Sequence, residues 1–153
     1  MLNRVMSLVH LDFAPNHEQP RAGRVALATV VSLVGSLLAD AVIVVIAQAL
    51  IPSTKGYVHF QFGDYAKLTV IGVVIAGLAW PAVVRLTADP RWVYRILAVL
   101  VTAVLLLPDL YIWWTGQPGR AVLVLAAMHL AIALITYHVM VRVAPPRPSR
   151  PAA

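Results

Sequence analysis

Asp40, Asp109 and His129 are ionisable residues that lie deep inside long apolar runs of the sequence. An acid within a membrane-spanning helix costs on the order of 3 kcal/mol on insertion scales, so such groups usually face protein or water. Carboxyl and imidazole groups can also exchange protons, and within spans they often mark ion pathways. These residues therefore indicate either a hydrogen-bonded structural cluster or a proton-titratable site, and the sequence leaves both open.

Their spacing predicts that the three residues share one depth. Asp40 lies fifteen residues after Val25, and Asp109 lies thirteen after Ile96, which gives rises of about 20–22 Å from one side of the membrane. His129 lies about 12 Å from the opposite side. In a hydrocarbon slab of ~30 Å, all three would lie in one layer.

Other polar residues extend the faces on which these three lie. Ser36 precedes Asp40 by about one helical turn, and Thr102 precedes Asp109 by about two. Tyr137 continues the face of His129. We therefore predict one intramembrane polar cluster, with these members: Asp40, Asp109, His129, Ser36, Thr102 and Tyr137.

No catalytic motif accompanies the cluster. The sequence holds no Gly-x-Ser-x-Gly, no His-Glu-x-x-His and no phosphate-binding loop, and Glu18 is its only glutamate. Asp40, Asp109 and His129 could bind a metal chemically, but their spacing has no metal-binding signature. Haem between His129 and His138 is excluded because they lie ~13 Å apart along one helix. We expect no enzyme, no catalytic residue, no metal and no cofactor.

The composition identifies the class of protein. Of 153 residues, 61% are hydrophobic and 12% charged, and the mean hydropathy is +0.84. So little polar surface is typical of an integral membrane protein. The net charge of +6 comes from residues beside apolar runs, which favours membrane lipids over nucleic acid as partners. The absence of cysteine excludes disulfides and thiol redox chemistry.

Four apolar segments are long enough to cross a membrane, so we predict an all-α bundle of four transmembrane helices. The spans cover about 25–51, 65–84, 93–114 and 120–143 within a domain of residues 21–143. We expect residues 1–20 to be an amphipathic or disordered lead-in, and residues 144–153, which are rich in Pro and Arg, to be an extended, mobile cytoplasmic tail.

The distribution of basic residues predicts that both termini are cytoplasmic, because cytoplasmic segments carry an excess of Lys and Arg. In that orientation the outer side holds three: Lys55, Lys67 and Arg120. The cytoplasmic side holds nine: Arg4, Arg21, Arg24, Arg85, Arg91, Arg95, Arg142, Arg147 and Arg150.

Small and aromatic residues predict contacts at the surface of the bundle. Gly72, Ala76 and Gly77 form a patch that lets another helix approach closely. Residues 53–63 alternate with a strand-like period of two, but an isolated strand is unstable, so we expect an interfacial loop. Aromatic residues at that end are predicted to anchor the protein at the membrane interface: Tyr57, Phe60, Phe62, Trp113 and Trp114.

Two short strings carry a family resemblance. Leu106-Leu-Pro-Asp109 precedes the second outer turn, and Ala127-Met-His-Leu-Ala131 lies in the last span. On these strings, residues 25–143 resemble a family of small four-span actinobacterial membrane proteins that is classed as a domain of unknown function. The resemblance implies four helices, a plasma-membrane location and a layer that holds His129. It implies no activity.

These observations lead to two functional expectations. The first is a non-enzymatic accessory or assembly subunit, or a homo-oligomer, in the bacterial inner membrane, with another membrane protein or a second copy as its partner. The alternative is a small proton-linked transporter or channel that uses the intramembrane Asp and His cluster.

Overall fold

The computed structural model describes residues 17–148, and most of these residues form four long helices. The helices are α1 (Ala22–Leu50), α2 (Phe62–Leu86), α3 (Pro90–Trp114) and α4 (Gly119–Val143). All four are long and apolar enough to cross a membrane. The prediction of an all-α bundle with four membrane-spanning helices is confirmed, and each helix begins and ends within a few residues of the predicted span.

Local sequence signals explain several helix ends. α1 ends at Leu50, and the next residue, Ile51, leaves the helical region because it precedes Pro52. Before α3, the Asp89 carboxylate accepts a hydrogen bond of 3.2 Å from the Trp92 amide, and Pro90 occupies the first helical position. Both signals were readable in the sequence.

The connection between α1 and α2 differs from a strand. It contains two 3-10 turns, Pro52–Thr54 and Val58–Phe60, and no strand within the described residues. Within the second turn Phe60 is buried, whereas Val58 and His59 are exposed. The segment is therefore a folded loop that places one aromatic ring inside the bundle.

The helices run up and down, so the bundle has two ends. We call the end with residues 22, 86–90 and 143 the terminal end, and the end with the two longer connections the loop end. The central pair is α1 and α4; α2 packs on α1, and α3 packs on α4. The fourth pair of adjacent helices, α2 and α3, is less closely packed than the other three pairs.

Two apolar clusters close the bundle, one near each end. The terminal cluster contains Ala28, Trp80, Val83, Val84, Tyr94, Met140 and Ala144. The polar atoms of its Trp and Tyr side chains are hydrogen-bonded. Trp80 Nε1 donates to the Ala144 carbonyl oxygen (2.7 Å), and the Tyr94 hydroxyl donates to the Ala76 carbonyl oxygen (3.0 Å). The loop-end cluster contains Val44, Ala47, Phe60, Tyr65, Ala121, Val124 and Met128.

A short strand pair joins the two ends of the described chain. His17–Glu18 pairs antiparallel with Arg147–Pro148. Arg147 lies 3.3 Å from the Glu18 carboxylate, and its Nε donates to the Gln19 carbonyl oxygen at 2.7 Å. The beginning of the tail, predicted to be mobile, is thus extended but paired. The rest of the predicted lead-in and tail, residues 1–16 and 149–153, lies outside the described residues.

Two close approaches set the register of α1 against its neighbours. Gly35 of α1 faces Ile135 of α4, whose Cγ2 would lie 3.2 Å from an added Cβ. Gly77 of α2 packs directly on Thr29 of α1. Thr29 cannot easily move away, because its hydroxyl donates to the Val25 carbonyl oxygen (2.9 Å).

We expect Gly77→Ala to destabilise the protein by about 1–3 kcal/mol, because the new methyl group would overlap the Thr29 side chain. Gly72→Ala is the matched control, since no atom lies within 4 Å of its added Cβ. That change should be neutral or stabilising by up to ~1 kcal/mol. Thermal unfolding in detergent, followed by tryptophan fluorescence, measures both. Equal melting temperatures for the two variants would contradict this packing.

Candidate functional site

Asp40 is fully buried where α1, α2 and α4 meet. It ends a stripe of buried small and polar residues that recur every four positions along α1: Ala28, Ser32, Ser36 and Asp40. The Thr69 hydroxyl of α2 donates a 2.8 Å hydrogen bond to Asp40 Oδ2. The predicted polar cluster did not include Thr69, although counting residues inward from the loop end would place it near the depth of Asp40.

Asp109 and His129 contact each other between α3 and α4. His129 Nδ1 lies 3.1 Å from Asp109 Oδ2, and Asp109 is 6% exposed. The same nitrogen lies 3.1 Å from the Leu125 carbonyl oxygen. A carbonyl and an ionised carboxylate only accept hydrogen bonds, so these neighbours favour the proton on Nδ1. The single N–H cannot point straight at both oxygens.

The helix register brings these contacts to one level. Because α1 and α4 are antiparallel and Gly35 faces Ile135, Asp40 lies opposite the turn that contains His129. His129 is within electrostatic range of Asp40. Asp40, Thr69, Asp109 and His129 therefore lie at one depth, and we call these four residues the acid layer.

A second set of buried polar residues lies one to two helical turns, roughly 6–12 Å, nearer the terminal end. Its members, which we call the hydroxyl layer, are Ser32, Ser36, Thr102 and Thr136. Thr136 directly follows Ile135, which faces Gly35, so it lies at about the same level as Gly35 and Ser36. Among the described residues, the hydroxyls of Ser32, Ser36 and Thr136 have no hydrogen-bond partner, and neither does Asp40 Oδ1.

Two members of the predicted cluster bond elsewhere. The Thr102 hydroxyl donates to the Ala98 carbonyl oxygen of its own helix (2.7 Å). Tyr137 lies about 12 Å from the level of His129, because eight residues separate them along α4. It stacks on Tyr94, and its hydroxyl points to the Arg91 carbonyl oxygen at 3.5 Å. Tyr137 is therefore part of the terminal end rather than of the acid layer.

The predicted small-residue patch divides between the inside and the outside of the bundle. Gly77 is buried against Thr29, and the Ala76 carbonyl accepts the Tyr94 hydroxyl. Gly72, about one turn from Ala76, is exposed on the α3 side of α2, and nothing lies within 4 Å of an added Cβ. Only the Gly72 end of the patch is free for a partner helix.

The predicted interfacial aromatics also divide. Phe62, Trp113 and Trp114 are 64, 58 and 84% exposed at the loop end, where amphipathic rings can contact lipid head groups. Phe60 is instead buried in the loop-end cluster, because the 3-10 turn directs its ring inward. Tyr57 packs edge-on against Phe60 and is half-buried.

Tyr57 connects this loop to the acid layer. Its hydroxyl is buried and has no hydrogen-bond partner among the described residues. Burial raises the pKa of the Tyr57 phenol, and the nearby Asp109 carboxylate raises it further. His59 of the same turn is also within electrostatic range of Asp109. The loop thus covers the acid layer from the loop end.

The acid and hydroxyl layers form a polar interior enclosed between two apolar clusters. Surface cavities of about 270 and 320 Å³ lie elsewhere, one at the terminal end beside His17 and Asp89, the other between α1 and α4 beside Ile46 and Leu123. Within residues 17–148, no three His, Asp or Glu side chains are close enough to hold a metal ion together. Such an interior can hold charge and hydrogen-bond networks away from bulk water.

Comparison with known proteins identifies one family. The model of a family of unknown function (DUF6069) matches residues 16–146, which is most of the chain. No curated protein matches, and no solved structure matches. The match confirms the resemblance to a family of unknown function, and the four apolar helices are typical of a small multi-pass membrane protein.

Substitution of two histidines of α4, one inside and one outside the acid layer, tests whether that layer stabilises the fold. His129 and His138 each place Nδ1 near the carbonyl oxygen four residues earlier, at 3.1 and 2.8 Å, but only His129 also contacts a carboxylate. His129→Phe leaves Asp109 buried without its partner and should destabilise the protein by about 1–3 kcal/mol. His138→Phe should have little effect. Comparable losses in melting temperature would show that the contact with Asp109 contributes nothing.

Proposed function

The chain belongs to DUF6069, a family of unknown function, and we propose that it is a non-enzymatic protein of the bacterial inner membrane that acts by association. Its partner is another membrane protein, which it assists as an accessory or assembly subunit, or a second copy of itself. The proposal depends on the side of the bundle formed by α2 and α3.

The loose contact between α2 and α3 is the observation that favours association. The contacts of Tyr94 with Trp80 and with the Ala76 carbonyl hold the two helices together near the terminal end. Nearer the loop end, Gly72 leaves an open notch on α2. Small residues let helices approach closely, and close packing drives helix association in lipid, where the hydrophobic effect does not.

The low burial of α3 also favours the α2–α3 side as the surface that a partner contacts. Only 11% of its most apolar 18-residue window is buried, compared with 28 to 33% for the other three helices. Exposed apolar residues lie along much of its length, including Val99, Val104 and Leu107. A helix from a partner that occupies the α2–α3 side would contact this surface and the Gly72 notch together.

The enclosed polar interior favours a non-catalytic role. Asp40 and Asp109 are buried between the terminal and loop-end clusters, so a substrate in water or lipid would have to displace packed side chains to reach their carboxylates, and His129 exposes only 22% of its side chain. Their contacts with one another and with Thr69 are of the kind that holds helices together.

A proton-linked carrier or channel is the second candidate function. The observation that favours it is the set of buried oxygen atoms without hydrogen-bond partners in the described chain, which belong to these residues: Ser32, Ser36, Asp40, Tyr57, Asp109 and Thr136. Because both ends of the interior are closed, a conducting path would require the helices to rearrange or several copies to assemble. Proton flux into liposomes that is lost in Asp40→Asn would favour this candidate.

Association is tested by filling the notch. Gly72→Leu should reduce the associated fraction at least several-fold, because the larger side chain holds a partner helix away. It should not lower the melting temperature, because the site is open. Ala49→Leu, at an exposed position of α1, is the matched control and should associate like the wild type. The measurement is cross-linking of differently tagged copies, together with pull-down from native membranes in mild detergent.

The outcomes separate the alternatives. Loss of co-purification between tagged copies indicates a homo-oligomer, and loss of a stoichiometric second protein indicates an accessory subunit. A wild-type protein that is monomeric in lipid and retains no partner would contradict the proposal, as would equal association of Gly72→Leu and Ala49→Leu.

We further propose that the terminal end faces the cytoplasm, as the nine-to-three distribution of basic residues favours. The chain has no cysteine, so single cysteines report on each side. Lys55→Cys should react with a membrane-impermeant maleimide on intact cells, and Ala88→Cys only after the membrane is opened. The reverse labelling pattern would contradict this orientation.

A further inference from the structure

We propose that a groove between α1 and α4 binds one anionic phospholipid, with an acyl chain in the groove and the lipid phosphate beside Arg120. The groove opens on the surface of the bundle near the loop end and has a volume of about 320 Å³. Its lining comes from residues 43–51 and 120–127, and no described residue of α2 or α3 contributes to it. The proposal is therefore independent of association through the α2–α3 side.

The groove is apolar and lies on a surface that faces the hydrocarbon of the membrane. Ala47 and Val124 are buried and form its floor, whereas Ile46, Leu50 and Leu123 are at least half exposed and form its rims. The surface dips between the rims because the Ala47 side chain is small. In a bilayer this depth is surrounded by lipid tails, so an acyl chain is the molecule at hand to fill the dip.

The dimensions of the groove fit one hydrocarbon chain. From Ile43 to Ile51 it extends roughly 12 Å along the helix axis, close to the ~15 Å hydrocarbon depth of one leaflet. Its volume over that length gives a cross-section of roughly 27 Å². A helix of about 10 Å diameter has a cross-section of roughly 80 Å². The groove can therefore hold a whole acyl chain, but of a partner helix it could admit only side chains.

Arg120 supplies a positive charge at the mouth of the groove. It is exposed at the second position of α4, and among the described lining residues it alone has a polar side chain. Within residues 17–148 it forms no ion pair: Asp64, at the same end of the bundle, lies 3.9 Å from Lys67 instead, and the first turn of α4 holds no acid. A guanidinium binds phosphate oxygens through two parallel N–H groups, so Arg120 is available to a lipid phosphate.

The charge of Arg120 favours an anionic lipid over a zwitterionic one. In phosphatidylglycerol the phosphate is the only charge of the headgroup, whereas in phosphatidylcholine a quaternary ammonium already accompanies it. A basic residue near the membrane surface favours anionic lipids by roughly fivefold. A free phosphate ion would use Arg120 alone and leave the groove to another molecule, so the charge and the apolar groove together indicate a lipid.

The test is photo-cross-linking in phosphatidylcholine nanodiscs that contain a small fraction of phosphatidylglycerol with a diazirine midway along one acyl chain. Mass spectrometry locates the labelled residues, and phosphatidylcholine with the same diazirine chain is the comparison lipid. Labelling of residues 43–51 and 120–127, relative to the rest of the bundle, should be roughly two- to fivefold higher with phosphatidylglycerol.

Variants separate the roles of the charge and the groove. Arg120→Gln should abolish the preference for phosphatidylglycerol, whereas Lys67→Gln, which removes the same charge at the same end but outside the groove, should keep it. Ala127→Phe fills the inner part of the groove and should lower its labelling by both lipids several-fold. Ala49→Phe, at an exposed position of α1 outside the lining, is the matched control and should label like the wild type.

All four substitutions lie at exposed positions, so each variant should keep the wild-type melting temperature. Equal labelling of the wild-type groove by the two lipids would overturn the proposal, and so would a preference for phosphatidylglycerol that persists in Arg120→Gln. If groove residues take no lipid label and cross-link in native membranes to a second polypeptide, the occupant is a protein, and the proposal is again overturned.

Discussion

The burial of one carboxylate constrains most of this structure. Asp40 lies on α1 at a depth where neither water nor lipid head groups can solvate it, so neighbouring helices must supply its partners. Thr69 comes from α2, and His129, within electrostatic range, comes from α4 and connects to Asp109 of α3. A single polar level thus links all four helices. The two apolar clusters lie on either side of that level along the axis of the bundle.

The same constraint explains why α3 can pack loosely. Among the described residues, α3 contributes Tyr94 to the terminal cluster and no member to the loop-end cluster. Near the loop end, α3 is held to α4 by the contact of Asp109 with His129. Phe60, with Tyr57 packed against it, belongs to the loop-end cluster at the same end of the bundle. A helix held by polar contacts at one level and aromatic contacts at another can leave its outer face to lipid or to a partner.

Hydropathy was sufficient to predict the four helices, and the rise of an α-helix predicts a common depth for Asp40, Asp109 and His129. The partners of each side chain were not predictable in the same way. Thr69 is one of several threonines in apolar runs, and only the rotation of α2 about its axis directs it at Asp40. The rotation of α2 also decides that Gly77 is buried while Gly72 is exposed. Composition predicts that all the aromatic residues of this end lie at the membrane interface, but a 3-10 turn buries Phe60 inside the bundle.

The strand pair at the terminal end has a consequence for chain topology. His17–Glu18 and Arg147–Pro148 are hydrogen-bonded to each other, so the two edges of the described chain lie side by side. With the connections between the helices, this pairing makes residues 17–148 a nearly continuous ring of elements, because the strand before α1 is hydrogen-bonded to the strand after α4. Neither α1 nor α4 can therefore shift along its axis without breaking the strand pair.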